Sequence, residues 1–92
     1  MKKYLTIETI RANVTVSENE NASLRQIINL ENINVVTEER GTTFIYLKYP
    51  EPFSRWQLYI DMTDFLNVCR VPNKTVTVKK TTTWFKYYIT EL

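Results

Sequence analysis

The 92-residue chain contains no histidine, one cysteine and one glycine. Each scarcity excludes a chemistry. Without histidine the commonest general base is missing, together with the usual metal ligand and the partner that activates a serine or cysteine nucleophile. A single thiol, Cys69, cannot close an internal disulfide, which fits a reducing compartment, and with no histidine available it cannot complete an ordinary structural zinc site. It is expected on the apolar stripe of a helix, as a small core residue. The lone Gly41 leaves no glycine-rich loop to cradle a phosphate. No apolar run approaches the roughly 18 residues of a membrane span, and "MKKYLTIETI" turns polar before a signal-peptide core can form. The expected address is the cytoplasm, with no membrane partner.

What is present points to a folded protein. Apolar residues make up 43% and charged residues 24%, far from the low-hydrophobicity, high-charge signature of disorder. A chain of this length supports one modest core, so residues 1–92 are expected to form a single domain. Asn, Ile, Lys and Tyr are abundant and have AT-rich codons, which points to an AT-rich bacterium or a phage of one. Net charge is +2, but residues 70–92 alone carry +4 and residues 17–41 carry −3. The small sum hides a basic C-terminal quarter.

Periodicity divides the chain. "KYLTIETIR", residues 3–11, alternates with Leu5 and Ile7 on one face and Tyr4, Thr6 and Glu8 on the other, a half-buried strand. Apolar positions then become even-numbered, predicting a bulge near Thr9. "SENENASLRQIINLEN" predicts the main helix: Ser17 and Glu20 form a capping box, and Leu24, Ile27 and Ile28 an i, i+3, i+4 stripe. Residues 33–49 predict two strands joined at Glu39-Arg40-Gly41, with the only glycine where a positive φ is needed. "PEPFS" breaks the pattern before the strand "RWQLYID". Met62, Phe65, Leu66 and Cys69 predict a short helix capped by Asp61 or Thr63 and stopped before Pro72. "TVTVKK" and "WFKYYIT" return to strands across a wide connection. The predicted class is α+β: a small antiparallel sheet of five or six strands with one main and one short helix, in the order β-α-β-β-β-α-β-β.

Carboxylates are the remaining candidates for catalysis or metal binding, as the pairs Glu38–Glu39 and Asp61–Asp64. The first falls at a hairpin turn and the second at a helix N-terminus, where acidic residues are stabilising without further function. The expectation is therefore a non-enzymatic protein with no cofactor and no metal.

The strongest positive signal is the last strand. Its parity places Phe85, Tyr87 and Ile89 on the core face and Trp84, Lys86, Tyr88 and Thr90 outward, with Lys79 and Lys80 nearby. Exposed aromatic rings with few rotatable bonds make good protein-binding anchors, and Phe53 with Arg55 would extend that set from the proline loop. The first expectation is a phage or mobile-element accessory factor that inhibits or redirects a bacterial host protein, a nucleic-acid-processing one among the candidates, by steric occlusion. Rings interleaved with lysines also suit single-stranded nucleic acid, bases stacking on the rings and lysines neutralising phosphate. A third reading is an assembly protein or homodimer associating through an exposed sheet edge, the polar strand around "TVTVKK" being the natural site. Phe53, Arg55, Lys79, Lys80, Trp84, Lys86 and Tyr88 are the candidate contact residues.

Overall fold

In the computed structural model, which describes residues 1–11, 22–50 and 53–92, seven strands form two antiparallel sheets. Strands β1 (Lys3–Arg11), β2 (Ala22–Asn29), β6 (Thr75–Lys80) and β7 (Thr83–Glu91) make a four-stranded sheet in the order β2-β1-β7-β6. Strands β3 (Ile33–Glu39), β4 (Thr42–Leu47) and β5 (Arg55–Leu58) make a three-stranded sheet in sequence order. The one α-helix among the described residues, α1 (Met62–Arg70), follows β5. The α+β class holds, but the described residues build two sheets where the sequence predicts one, and one α-helix where it predicts two.

The largest correction is the main helix. Residues 22–29 are β2, paired antiparallel along β1 from Tyr4 opposite Asn29 to Arg11 opposite Ala22. The stripe Leu24, Ile27, Ile28 satisfies a helical period, but Leu24 and Ile28 also share a face at a strand period, although Gln26 on that face is polar. Pairing decides the outcome: β1 has a free edge, and a strand here fills it along eight residue pairs. Only Ile28 of the three is buried; Leu24 and Ile27 are 55% and 51% exposed. The proposed cap residues Ser17 and Glu20 lie outside the described residues. β1 itself keeps an unbroken register with β7 through Thr9, so the predicted bulge is absent.

A single 3₁₀ turn, Leu30–Asn32, carries the chain from one sheet to the other. The Asn29 side chain caps it by accepting from the Glu31 N–H at 2.9 Å. Asn32 then clamps the far end of β4's exit: its side-chain amide donates to the Tyr49 carbonyl and its side-chain oxygen accepts from the Tyr49 N–H, both at 2.9 Å. Asparagines that compete with a helix here serve as turn caps instead.

The two predicted turns differ. Arg40 and Gly41 alone separate Glu39 from its partner Thr42, with φ of 53° and 75°, the tight turn whose twist suits a hairpin. The connection from β6 to β7 is equally short, not wide: Lys80 pairs with Thr83, and Thr81 sits at φ 55°. The helix forms where its stripe predicts, but its buried residues are Phe65 and Val68, with Met62, Leu66 and Cys69 only partly covered; Asp61 is the N-cap, its carboxylate accepting from the Asp64 N–H at 2.8 Å.

The core is shared. Leu5, Ile7, Ile28 and Tyr87 from the four-stranded sheet meet Ile45, Leu47, Leu58 and Ile60 from the other sheet and its exit, with Phe65 and Val68 from α1. Tyr87 stitches the layers: buried to 1% exposure, its hydroxyl accepts from the Tyr59 N–H at 3.0 Å. The Tyr59 ring in turn lies 4.7 Å from that of Phe85. One face of the four-stranded sheet is thereby committed to the interior. No helix among the described residues is long and apolar enough to cross a membrane.

Candidate functional site

The opposite face of the four-stranded sheet gathers the residues of interest, because antiparallel partners point the same way. Reading across from β2 to β6, one row is Ile27, Thr6, Tyr88 and Thr75; the next is Arg25, Glu8, Lys86 and Thr77. A third row places Ile10 beside Trp84 and Trp84 beside Lys79, and Tyr4 pairs with Thr90 at the other end. Three rings, Tyr4, Trp84 and Tyr88, therefore share a face with two exposed or half-exposed aliphatics and with three cations against one carboxylate.

Glu8 organises the middle of this face. Its carboxylate accepts from the Tyr88 hydroxyl at 2.6 Å and lies 3.4 Å from the Arg25 guanidinium. The hydrogen bond to Glu8, with burial second, holds the Tyr88 phenol above its ordinary pKa, so the ring is fixed in its neutral, donating form. Beside it the Thr6 and Thr90 hydroxyls pair at 2.8 Å, and Thr6 is almost fully hidden. Trp84 stays 43% exposed, with the Lys79 ammonium 5.4 Å from its ring centre, and the Lys86 ammonium lies 5.7 Å from the Tyr88 ring. Cations over ring faces keep both partners oriented at small cost, since each contact is worth about 0.5–1 kcal/mol at an exposed site.

The fold divides the sequence-derived set. Trp84, Lys86, Tyr88 and Lys79 come together on this face. Lys80 has the opposite parity, and its ammonium lies 5.6 Å from the Tyr59 ring. Arg55 opens β5 of the three-stranded sheet, and Phe53 lies in the segment just before it. The Phe53 ring, 57% exposed, packs edge-on against Trp56 at 5.5 Å, and the Arg55 guanidinium sits 4.2 Å above the Phe44 ring and 5.8 Å from Tyr46. Arg55 is thus on a different sheet from Trp84 and Tyr88, and the Phe53 ring packs with Trp56 next to that second sheet. Sequence reading missed Ile27 and Arg25, because residues assigned to a helix cannot be placed beside β1, and it left Glu8 without its partners on that face; the same-face spacing of Leu24 and Ile28 at i, i+4, which fits a strand as well as a helix, is the weak signal available.

The other candidates have structural occupations. Glu38 accepts from the Met62 N–H at 3.0 Å and Asp61 caps the same helix start, so two of the four carboxylates satisfy orphan helix donors. No cluster of metal-ligating side chains occurs among the described residues. The Cys69 thiol is pushed up by burial, against smaller opposing effects of Arg70 and Lys3, which leaves it protonated in the wall of an open groove near Lys3, Asn73 and Glu91. Compared with known protein families, with curated proteins and with solved structures, the chain matches none.

Proposed function

We propose that this is a non-enzymatic binding protein that docks another protein on the outward face of its four-stranded sheet. The observation that supports it is the grouping of Trp84, Tyr88, Tyr4 and Ile27 on one face, with Lys86 between Trp84 and Tyr88 and with Lys79 and Arg25 on the two edge strands. Exposed large rings interleaved with cations resemble the Trp-, Tyr- and Arg-rich composition of an interface hot spot. The excess of cations favours a partner whose contact surface is apolar with an acidic rim. Such a protein acts by occlusion, covering the partner's own working surface. The AT-rich composition supports a bacterial host protein as the partner of a phage or mobile-element factor.

The experiment is affinity capture from the source cell with wild type, Trp84→Ala and Lys86→Glu, the variants first checked for an unchanged circular dichroism spectrum. A partner held by wild type and released by both variants supports the face; a partner retained by both overturns it.

Single-stranded nucleic acid is the second reading, favoured by the same rings and lysines. Against it, Glu8 places a carboxylate in the middle of the face and Lys79 already occupies one approach to the Trp84 ring. Fluorescence anisotropy with labelled single- and double-stranded oligonucleotides at two salt concentrations separates the readings. Single-strand preference that survives near-physiological salt would transfer the face to nucleic acid.

A further inference from the structure

The four-stranded sheet has two edges, and they are built differently. At one edge β6 ends in the tandem Lys79–Lys80, charges that discourage another strand from pairing there. At the other edge β2 carries a single charge, Arg25, which is drawn towards Glu8 within its own sheet. The rest of β2's described side chains are Leu24, Gln26, Ile27, Ile28 and Asn29, and both Leu24 and Ile27 are more than half exposed. Among the described residues nothing pairs with the outer edge of β2. An edge strand this apolar, whose one charge is turned towards its own sheet, is a template for strand addition.

We propose that β2 pairs antiparallel with β2 of a second copy of this chain, joining two four-stranded sheets across a two-fold axis. The sequence of the edge argues for a second copy over a foreign strand. Partners in an antiparallel pair share a face, so a symmetric pairing must centre on a residue. Centred on Gln26, it sets Leu24 opposite Ile28 of the second copy, twice, on the face that continues the core. On the outward face it sets Arg25 opposite Ile27, so the two guanidiniums are diagonal rather than directly opposed, and each can turn back to the Glu8 of its own sheet. Each copy's exposed Leu24 is then covered next to a buried isoleucine, and the two Gln26 amides meet at the axis, where each can donate to the other. Centring on Arg25 instead would oppose like charges directly, which disfavours that register. The edge expected from sequence to mediate assembly, around residues 75–80, is the one that its lysines protect.

The dimer also bears on the docking face. Ile27 lies beside the axis on the outward side, so pairing makes the two Trp84–Tyr88 faces one continuous surface. The proposal does not rest on that face having a partner.

Molar mass by light scattering across a concentration series tests the pairing, with Leu24→Lys as the disrupting variant. A Cys69→Ser, Gln26→Cys double variant tests the register, because the new thiols would face one another within disulfide reach. A dimer that Leu24→Lys weakens by about tenfold or more, and that Gln26→Cys locks under oxidation, is the expected result. A monomer at every concentration overturns the proposal, as does a dimer that is indifferent to Leu24→Lys or leaves the Gln26→Cys thiols free. Unchanged capture of a partner by a Leu24→Lys monomer would separate this outcome from that of the docking face.

Discussion

The Tyr88 hydroxyl reaches diagonally across the β1–β7 ladder to donate to Glu8 at 2.6 Å, although the residue directly opposite Tyr88 is Thr6. That diagonal contact lays the phenol along the sheet and lets one carboxylate hold a ring on one side and Arg25 on the other. For the proposed docking face this matters because each side chain that must be immobilised on binding weakens affinity, and Tyr88 is already held.

Glu8→Gln tests this bond. The amide oxygen can still accept, but the charge that disfavours the phenolate is gone, so the Tyr88 pKa should fall towards the ordinary tyrosine value. The raised pKa means that the bond's contribution to stability is complete below about pH 10 and is lost as pH climbs through the folded-state value. Phenolate absorbance titrations of wild type and Glu8→Gln, each referenced to its Tyr88→Phe counterpart, isolate the one ring. Identical curves for the two proteins would remove Glu8 from the account.

Tyr87 makes the same argument from the core. Burial pushes its phenol up to about 12, outweighing the hydrogen bond from the Tyr59 N–H that favours the phenolate. Unfolded tyrosine loses its proton near pH 10, so the unfolded state gains from alkali before the folded state does. Stability should hold to about pH 9 and fall between about pH 10 and 12. Tyr87→Phe should lose about 1 kcal/mol at neutral pH by leaving the Tyr59 N–H unpaired, yet show a shallower alkaline decline. Urea midpoints measured across that range check both halves.

The turns give a paired prediction of opposite sign. Gly41 sits at φ 75° with open space where a Cβ would go, so Gly41→Ala should cost about 1 kcal/mol purely in backbone conformation. Thr81 occupies φ 55° as a β-branched residue, and Thr81→Gly should stabilise by up to about 1 kcal/mol. Thermal midpoints moving in the same direction for both would refute the conformational argument.

Local signals were read correctly wherever the local answer and the global one agree. Gly41 marks the hairpin, Asp61 caps its helix, and the outward parity of Trp84 and Tyr88 follows from Tyr87 being buried. The failures have a common cause in long-range pairing. Leu24, Ile27 and Ile28 fit two periods, and only the vacant edge of β1, far away in no residue-local sense, decides between them. Once β2 is lost to a helix, the four-stranded sheet, its open face and the role of Glu8 all become unreadable. The division into two sheets depends on Asn29 and Asn32 turning the chain in three residues, a backbone clamp with no sequence motif.

Thr43 offers the sharpest test of the core. It lies on the inward side of β4, between Glu38 and Leu58 in the ladder, and is fully buried. Its N–H donates to the Ile60 carbonyl at 3.0 Å, but its hydroxyl has no hydrogen-bond partner among the described residues. A buried hydroxyl that gives up water without a replacement destabilises the folded state by about 1–3 kcal/mol. Valine has nearly the same shape, suits a strand and brings no polar atom, and the backbone bond to Ile60 does not depend on the side chain. Thr43→Val should therefore raise the thermal midpoint by about 5 °C, corresponding to about 1 kcal/mol for a chain of this size. Thr43→Ser separates shape from polarity: it keeps the hydroxyl and removes a methyl from the core, so it should destabilise by about 1 kcal/mol. A valine variant less stable than wild type would mean that the hydroxyl is satisfied in solution, and that Thr43 holds its place by hydrogen bonding.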